Sequence, residues 1–228
     1  MSESTPKSRL SSALARLLVL VLAAAIMIPT VNRILLRAQK DIESTSLNDI
    51  TNAYYAYSIV VRHPFNLRSL PPGCTTHYIA FILAKRTWFN DATRYFTSND
   101  PLAPAVIPKV IISGNTSTAT APDPDFANAT LSVVMVANVS NDNPSTIIIA
   151  WTRGLQPNGT WSANSPWGGT GGHIAFLDGH VVWFNKLDAA DPTSSLLKYG
   201  TNIPTANITE ALPPGAVILS AEPWHAAK

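Results

Sequence analysis

Apolar side chains recur at Val31, Ile34, Leu35, Ala38, Ile42, Leu47, Ile50, Ala53, Tyr54, Tyr57, Val60 and Val61. Steps of three, four and seven residues place them along one face of a helix. Arg37, Lys40, Asp41, Glu43 and Asn48 fill the opposite face. Directly before this pattern, Leu17 to Val31 (LLVLVLAAAIMIPTV) is apolar apart from Thr30. Together they predict one helix from about residue 10 to residue 61, about 75 Å long. His63-Pro64 ends it, because the residue before a proline avoids helical angles.

The apolar half is a candidate membrane anchor. Fifteen helical residues span about 22 Å, short of a hydrocarbon core of about 30 Å. Extending back to Leu10 supplies the missing length, with Arg16 reaching toward the headgroups. Lys7, Arg9 and Arg16 precede the run and Arg33, Arg37 and Lys40 follow it, so charge alone sets no orientation. A cleaved signal peptide is the alternative, with small residues at Ala23 to Ala25. The run continues through Ile26, Met27 and Ile28 and the helical pattern continues beyond, which favours the anchor. Pro29 is compatible with a local kink.

Residues 1–62 therefore form leader, membrane segment and stem, and residues 63–228 form the body. PFNLRSLPPG is a linker by composition, and Thr76 to Phe89 reads as a second helix. Residues 113–128 are small, polar and punctuated by proline, which predicts a mobile loop. LSVVMVANV (131–139) and TIIIAW (146–151) have strand chemistry, and so do HIAFL and HVVWF. AVILS (216–220) is a further short strand in an otherwise irregular tail. The predicted class is α+β: a long N-terminal helix packed on a small antiparallel sheet.

Composition narrows the function. Only 13% of residues are charged, the net charge is +2, and no basic cluster interleaves with aromatics. A nucleic-acid surface needs a concentrated positive face, so none is expected. Cys74 stands alone and can form neither an internal disulfide nor a cysteine-based zinc site. No serine lies in a Gly-x-Ser-x-Gly elbow, and the acids Asp123, Asp125, Asp188 and Asp191 are scattered through loops. Glycines 168, 169, 171 and 172 precede a strand rather than a helix and carry no lysine, so they read as a flexible lead-in, not a phosphate loop.

GGTGGHIAFLDGHVVWF (168–184) contains the densest cluster of candidate site residues. An Asp-Gly pair between apolar runs predicts a two-residue hairpin turn at Asp178 and Gly179, both at positive φ. Leu177 then pairs with His180, Ala175 with Val182, and His173 with Phe184. That register puts His173 and His180 on one face but about 13 Å apart. One metal ion with bonds of about 2 Å cannot take both, so no metal is assigned to them. Trp151, Trp161, Trp167 and Trp183 crowd the same third of the chain. They read as core against the long helix or, if exposed side by side, as a carbohydrate-stacking surface.

Two stretches resemble a known family. MIPTVNRILLRAQKDIESTSLNDITNAYYAY, with its basic leader and apolar stem, resembles type IV pilins and type II secretion pseudopilins, of the kind found in planctomycetes and verrucomicrobia. TIIIAWTRGLQPNGTW and WGGTGGHIAFLDGHVVWF resemble the Asp-Gly-His-Val hairpin that ends those proteins. The two matches cover about 100 of the 228 residues, and the hairpin is the more specific. The resemblance departs at the leader, where Lys7, Ser8 and Ser12 occupy the places of the cleavage-site glycine, the residue after it and the fifth-position glutamate. It departs again at Gly168, where relatives often have histidine.

The resemblance implies a non-catalytic subunit, single-pass in the inner membrane, with a periplasmic or extracellular body and no resident cofactor. Val31, Ile34, Leu35, Ala38 and Ile42 would pack against other stems, from copies of this chain or other pilin-like subunits. By analogy with pseudopilins, Asp178 is a weak calcium candidate. The alternative is a secreted or anchored binding module, for carbohydrate, on the tryptophan-rich sheet.

Overall fold

A computed structural model describes residues 6–61, 65–66, 70–140 and 143–224, with side chains at Ala25 and from Met27 onward. The chain is α+β, with a long N-terminal helix and a five-stranded antiparallel sheet. It divides into two units, Met1–Ile42 and Glu43–Lys228. The sequence-based division at residue 62 marks the end of the helix. The body begins earlier, because the last turns of that helix already contribute to its core.

Helix α1 spans Pro6–Val60 with Pro29 inside it. In the first unit, Met27, Ile28, Val31, Ile34, Leu35, Leu36, Ala38 and Ile42 are all exposed. Most of the apolar run Leu17–Val31 lies outside the described side chains, and the proposed membrane span lies there with it. Among the described residues no helix is long and apolar enough to cross a membrane.

In the second unit the buried positions of α1 are Glu43, Leu47, Ile50, Thr51, Tyr54 and Ser58, with Ser46 and Ala53 beside them. Steps of three and four residues keep these on one face. The apolar face drawn from the sequence thus divides in two. Its first part, ending at Ile42 (64% exposed), is exposed, and burial begins one residue later at Glu43.

Helix α2, Thr76–Thr87, buries His77, Ile79, Ala80, Phe81, Leu83 and Ala84. It stops two residues short of its predicted end, because Trp88 takes a left-handed conformation at φ 66°. A 3-10 turn, Ala92–Tyr95, and a short helix α3, Pro124–Ala127, follow. Asp123 caps α3 by accepting the Asp125 N–H, which orders the end of the loop predicted to be mobile.

Strands β1 (Val133–Ala137), β2 (Ile148–Thr152), β3 (Gly172–Phe176) and β4 (Val181–Phe184) form an antiparallel meander. The tail adds β5 (Leu196–Leu197), β6 (Pro204–Thr205), α4 (Ile208–Ala211) and β7 (Val217–Leu219). The sheet order is β4-β3-β2-β1-β7, and β5 pairs with β6 alone. Strand β2 is buried along its whole length, so both faces of the sheet are covered there. Tyr54 and Phe65, with ring centroids 5.3 Å apart, seal α1 against the sheet, and the Tyr54 hydroxyl reaches Val136 O at 3.4 Å.

Candidate functional site

The β3–β4 hairpin differs from its predicted form by one residue. His173 pairs with Trp183 and Ala175 with Val181. The turn holds three residues, Leu177, Asp178 and Gly179. The Gly179 N–H donates to Phe176 O at 2.9 Å, and the Phe176 N–H donates to His180 O at 3.0 Å. Gly179 sits at φ 93°, whereas Asp178 keeps a negative φ. This is a type I turn closed by a left-handed glycine. Leu177 selects it. Its side chain is fully buried and its N–H donates to Ile147 O at 2.8 Å, so it cannot serve as a ladder partner of His180.

A one-residue slip reverses the faces. His173 and His180 therefore lie on opposite sides of the hairpin, not on one. Phe176 now shares a face with Phe184, and Trp183 shares one with His173. His180 is exposed and stacks on Phe176, with centroids 4.0 Å apart and planes 9° apart. Its N–H and its Nδ1 both reach Asp178 Oδ1, at 3.1 and 2.5 Å. The Asp178 carboxylate is thus engaged within its own turn. No group of three or more metal-ligating side chains gathers there or elsewhere among the described residues.

His173 is 4% exposed and faces Glu43 of α1. Its Nδ1 lies 2.7 Å from Glu43 Oε2, and Trp167 Nε1 donates to the same oxygen at 2.5 Å. Glu43 Oε1 accepts from the hydroxyls of Thr152 (3.0 Å) and Thr97 (3.1 Å). Trp167 Nε1 can only donate. Thr152 Oγ1 accepts the His173 N–H at 2.8 Å and so turns its own proton toward Glu43. A carboxylate surrounded by such donors has His173 Nδ1 carrying a proton toward it as well. Four elements of sequence, around residues 43, 97, 152 and 167–173, meet at this one side chain.

The cluster extends through a chain of bonds. The Thr97 N–H donates to Ser132 Oγ at 2.9 Å, and Ser132 Oγ donates to Asp100 Oδ2 at 2.7 Å. Asp100, whose side chain is fully buried, pairs with Arg153 at 2.5 Å. Each buried carboxylate therefore has a basic partner and hydroxyl donors, the condition under which buried charge is tolerated. The arrangement ties α1 to the sheet. It presents no free nucleophile and no open coordination position.

Of the four candidate tryptophans, three are core. Trp151, Trp161 and Trp167 are buried, and Trp183 is half-buried with its ring edge-on to Trp167 at 5.4 Å and to His173 at 4.9 Å. They form no row of exposed rings, so the tryptophan-rich carbohydrate surface weighed from sequence is not present. The glycine-rich lead-in is packed, not flexible, at its second half. A Cβ on Gly172 would lie 2.3 Å from Trp161 Nε1, and one on Gly171 would lie 2.5 Å from the Trp183 ring.

The stem candidates Val31, Ile34, Leu35, Ala38 and Ile42 all lie exposed in the first unit. Sequence reasoning missed Glu43, which it placed on the polar face. One signal was present: Glu43 lies four residues before Leu47 and seven before Ile50, in line with the buried stripe. Thr97 and Thr152 carried no such signal. No family model, curated protein or solved structure matches the chain.

Proposed function

We propose that the protein is a non-catalytic, membrane-anchored, pilin-like subunit that joins other stems through the exposed apolar face of α1. The observation that carries this reading is the run Met27, Ile28, Val31, Ile34, Leu35, Leu36 and Ile42, each between 48% and 64% exposed. So many exposed large apolar residues within about four and a half helical turns mark a surface meant for lipid or for another helix. The basic residues flanking Leu17–Val31 fit a membrane anchor, and the side on which the body lies follows only from the resemblance to pilins and pseudopilins. The meander sheet over the last turns of α1 fits the resemblance of both stem and hairpin to pilins and pseudopilins. The Glu43–His173 cluster favours a structural role for the body, because its donors already fill the carboxylate.

The test is association of the full-length chain in lipid nanodiscs and in detergent, followed by light scattering. The native chain should form dimers or larger assemblies. A variant carrying Val31→Ser, Ile34→Ser and Leu35→Ser should stay monomeric while keeping the folded body's circular dichroism. A native chain that stays monomeric at every concentration, alone and with other pilin-like subunits, ends the assembly reading.

A further inference from the structure

A groove of about 490 Å³ opens on the face of the hairpin opposite Glu43. Its floor is Ile148, Phe176 and Phe184, and its far wall is the loop from Ser195 to Asn202 that carries β5. That volume lies within the range of small-ligand sites. The Phe176–His180 stack lines the groove, and Tyr199, 39% exposed, lines it from the Ser195–Asn202 loop.

The ionisable side chains at the groove each have a polar partner. Lys198 Nζ lies 3.1 Å from Glu210 Oε2, and His180 Nδ1 lies 2.5 Å from Asp178 Oδ1. Neither basic group stands without a carboxylate neighbour. The remaining polar lining is amide and hydroxyl. Ser145, Thr146 and Thr201 commit their hydroxyls within their own loops. The Asn202 amide and the hydroxyls of Ser195 and Tyr199 make no hydrogen bond among the described residues, and all three border the groove.

Aromatic faces, unengaged amides and hydroxyls, and no unpaired charge select for a neutral, polyhydroxylated ligand with an apolar C–H face. Such a ligand stacks on the rings, and its hydroxyls both donate to and accept from the amide. A charged ligand would find no counter-charge, and a purely apolar one would leave the amide and hydroxyls desolvated without partners. We infer that this groove binds a neutral sugar, with Tyr199 as the stacking platform and Asn202 as the orienting amide. This rests on the body alone and does not depend on the stem's role.

The experiment uses the full-length protein in a zwitterionic, sugar-free detergent, since glycosidic detergents would compete. Saturation-transfer difference NMR and titration calorimetry would screen neutral mono- to trisaccharides of glucose, galactose, mannose and N-acetylglucosamine, with a uronic-acid trisaccharide as the charged comparison. At least one neutral sugar should bind. Tyr199→Ala and Asn202→Ala should each weaken it about ten-fold or more, and Tyr199→Phe should weaken it less than Tyr199→Ala. Thr118→Ala, distant in sequence and outside the groove lining, should bind as the native chain does. Absence of binding by all neutral sugars overturns the inference. So does binding that survives both alanine variants, or a preference for the uronic acid. Unchanged circular dichroism of each variant separates lost binding from lost folding.

Discussion

Glu43 is where a single side chain decides the packing of α1. Its carboxylate accepts from Trp167, Thr97 and Thr152 and faces His173, all within 3.1 Å. Glu43→Ala leaves those donors buried without an acceptor and should cost about 3–5 kcal/mol. Glu43→Gln keeps the shape but turns an N–H₂ toward donors, and should cost less, about 1–3 kcal/mol. Denaturant unfolding of the full-length protein measures both, and a Glu43→Ala loss below about 1 kcal/mol would show the cluster to be incidental. Glu43 was only partly legible in the sequence. Its position on the buried stripe could be counted, but a glutamate in such a place reads as polar surface unless its partners are known. Those partners lie 54 to 130 residues away.

At the scale of elements, most of the fold could be read in advance. Strands β1, β4 and β7 fall inside the predicted apolar runs, β2 and β3 each overrun theirs by one residue, at Thr152 and Gly172, and α2 begins at the predicted residue. The miss was the hairpin register, and it came from treating Asp178-Gly179 as a two-residue turn. The observed turn needs positive φ only at Gly179, where Asn52 Oδ1 would lie 3.1 Å from an added Cβ. Gly179→Ala should therefore cost about 1–2 kcal/mol. Asp178→Ala, exposed and at negative φ, should cost less than about 1 kcal/mol. Equal losses at the two positions in thermal unfolding would favour the two-residue turn instead. Strands β5 and β6 escaped sequence reading for a simpler reason: two-residue pairings have no period to detect.

The body as a whole should respond to acid through His77. This side chain is fully buried in α2, with Nε2 donating to Ala129 O at 2.9 Å and Nδ1 accepting from Thr75 at 3.0 Å. Burial pushes its pKa down from 6.5 to about 4, only partly offset by the backbone carbonyls beside it. The folded protein thus holds fewer protons than the unfolded chain between these values. The stability that neutral His77 contributes is complete above pH 6.5 and is lost as the pH falls through 4, a change of about 3 kcal/mol. Unfolding curves for the native chain and for His77→Gln, compared from pH 7 to pH 4, isolate this contribution. An identical acid dependence in both would remove His77 as its source. On the same scale, the association predicted for the stem depends on the exposed residues of the first unit.

The sequence by itself determined the helix, the main strands and the apolar stripe of the stem, because each is a local pattern of period 3.6 or 2 set by neighbouring residues. Tertiary structure alone decided three things: that Trp151, Trp161 and Trp167 are core, that His173 belongs to Glu43 and not to His180, and that Tyr199 and Asn202 border a groove with Phe176. The physical reason is the same in each case. Burial, hydrogen-bond pairing and the face of a strand depend on contacts between residues far apart in the chain. A one-residue change of register, invisible to composition and periodicity alike, moves a side chain from one side of the sheet to the other.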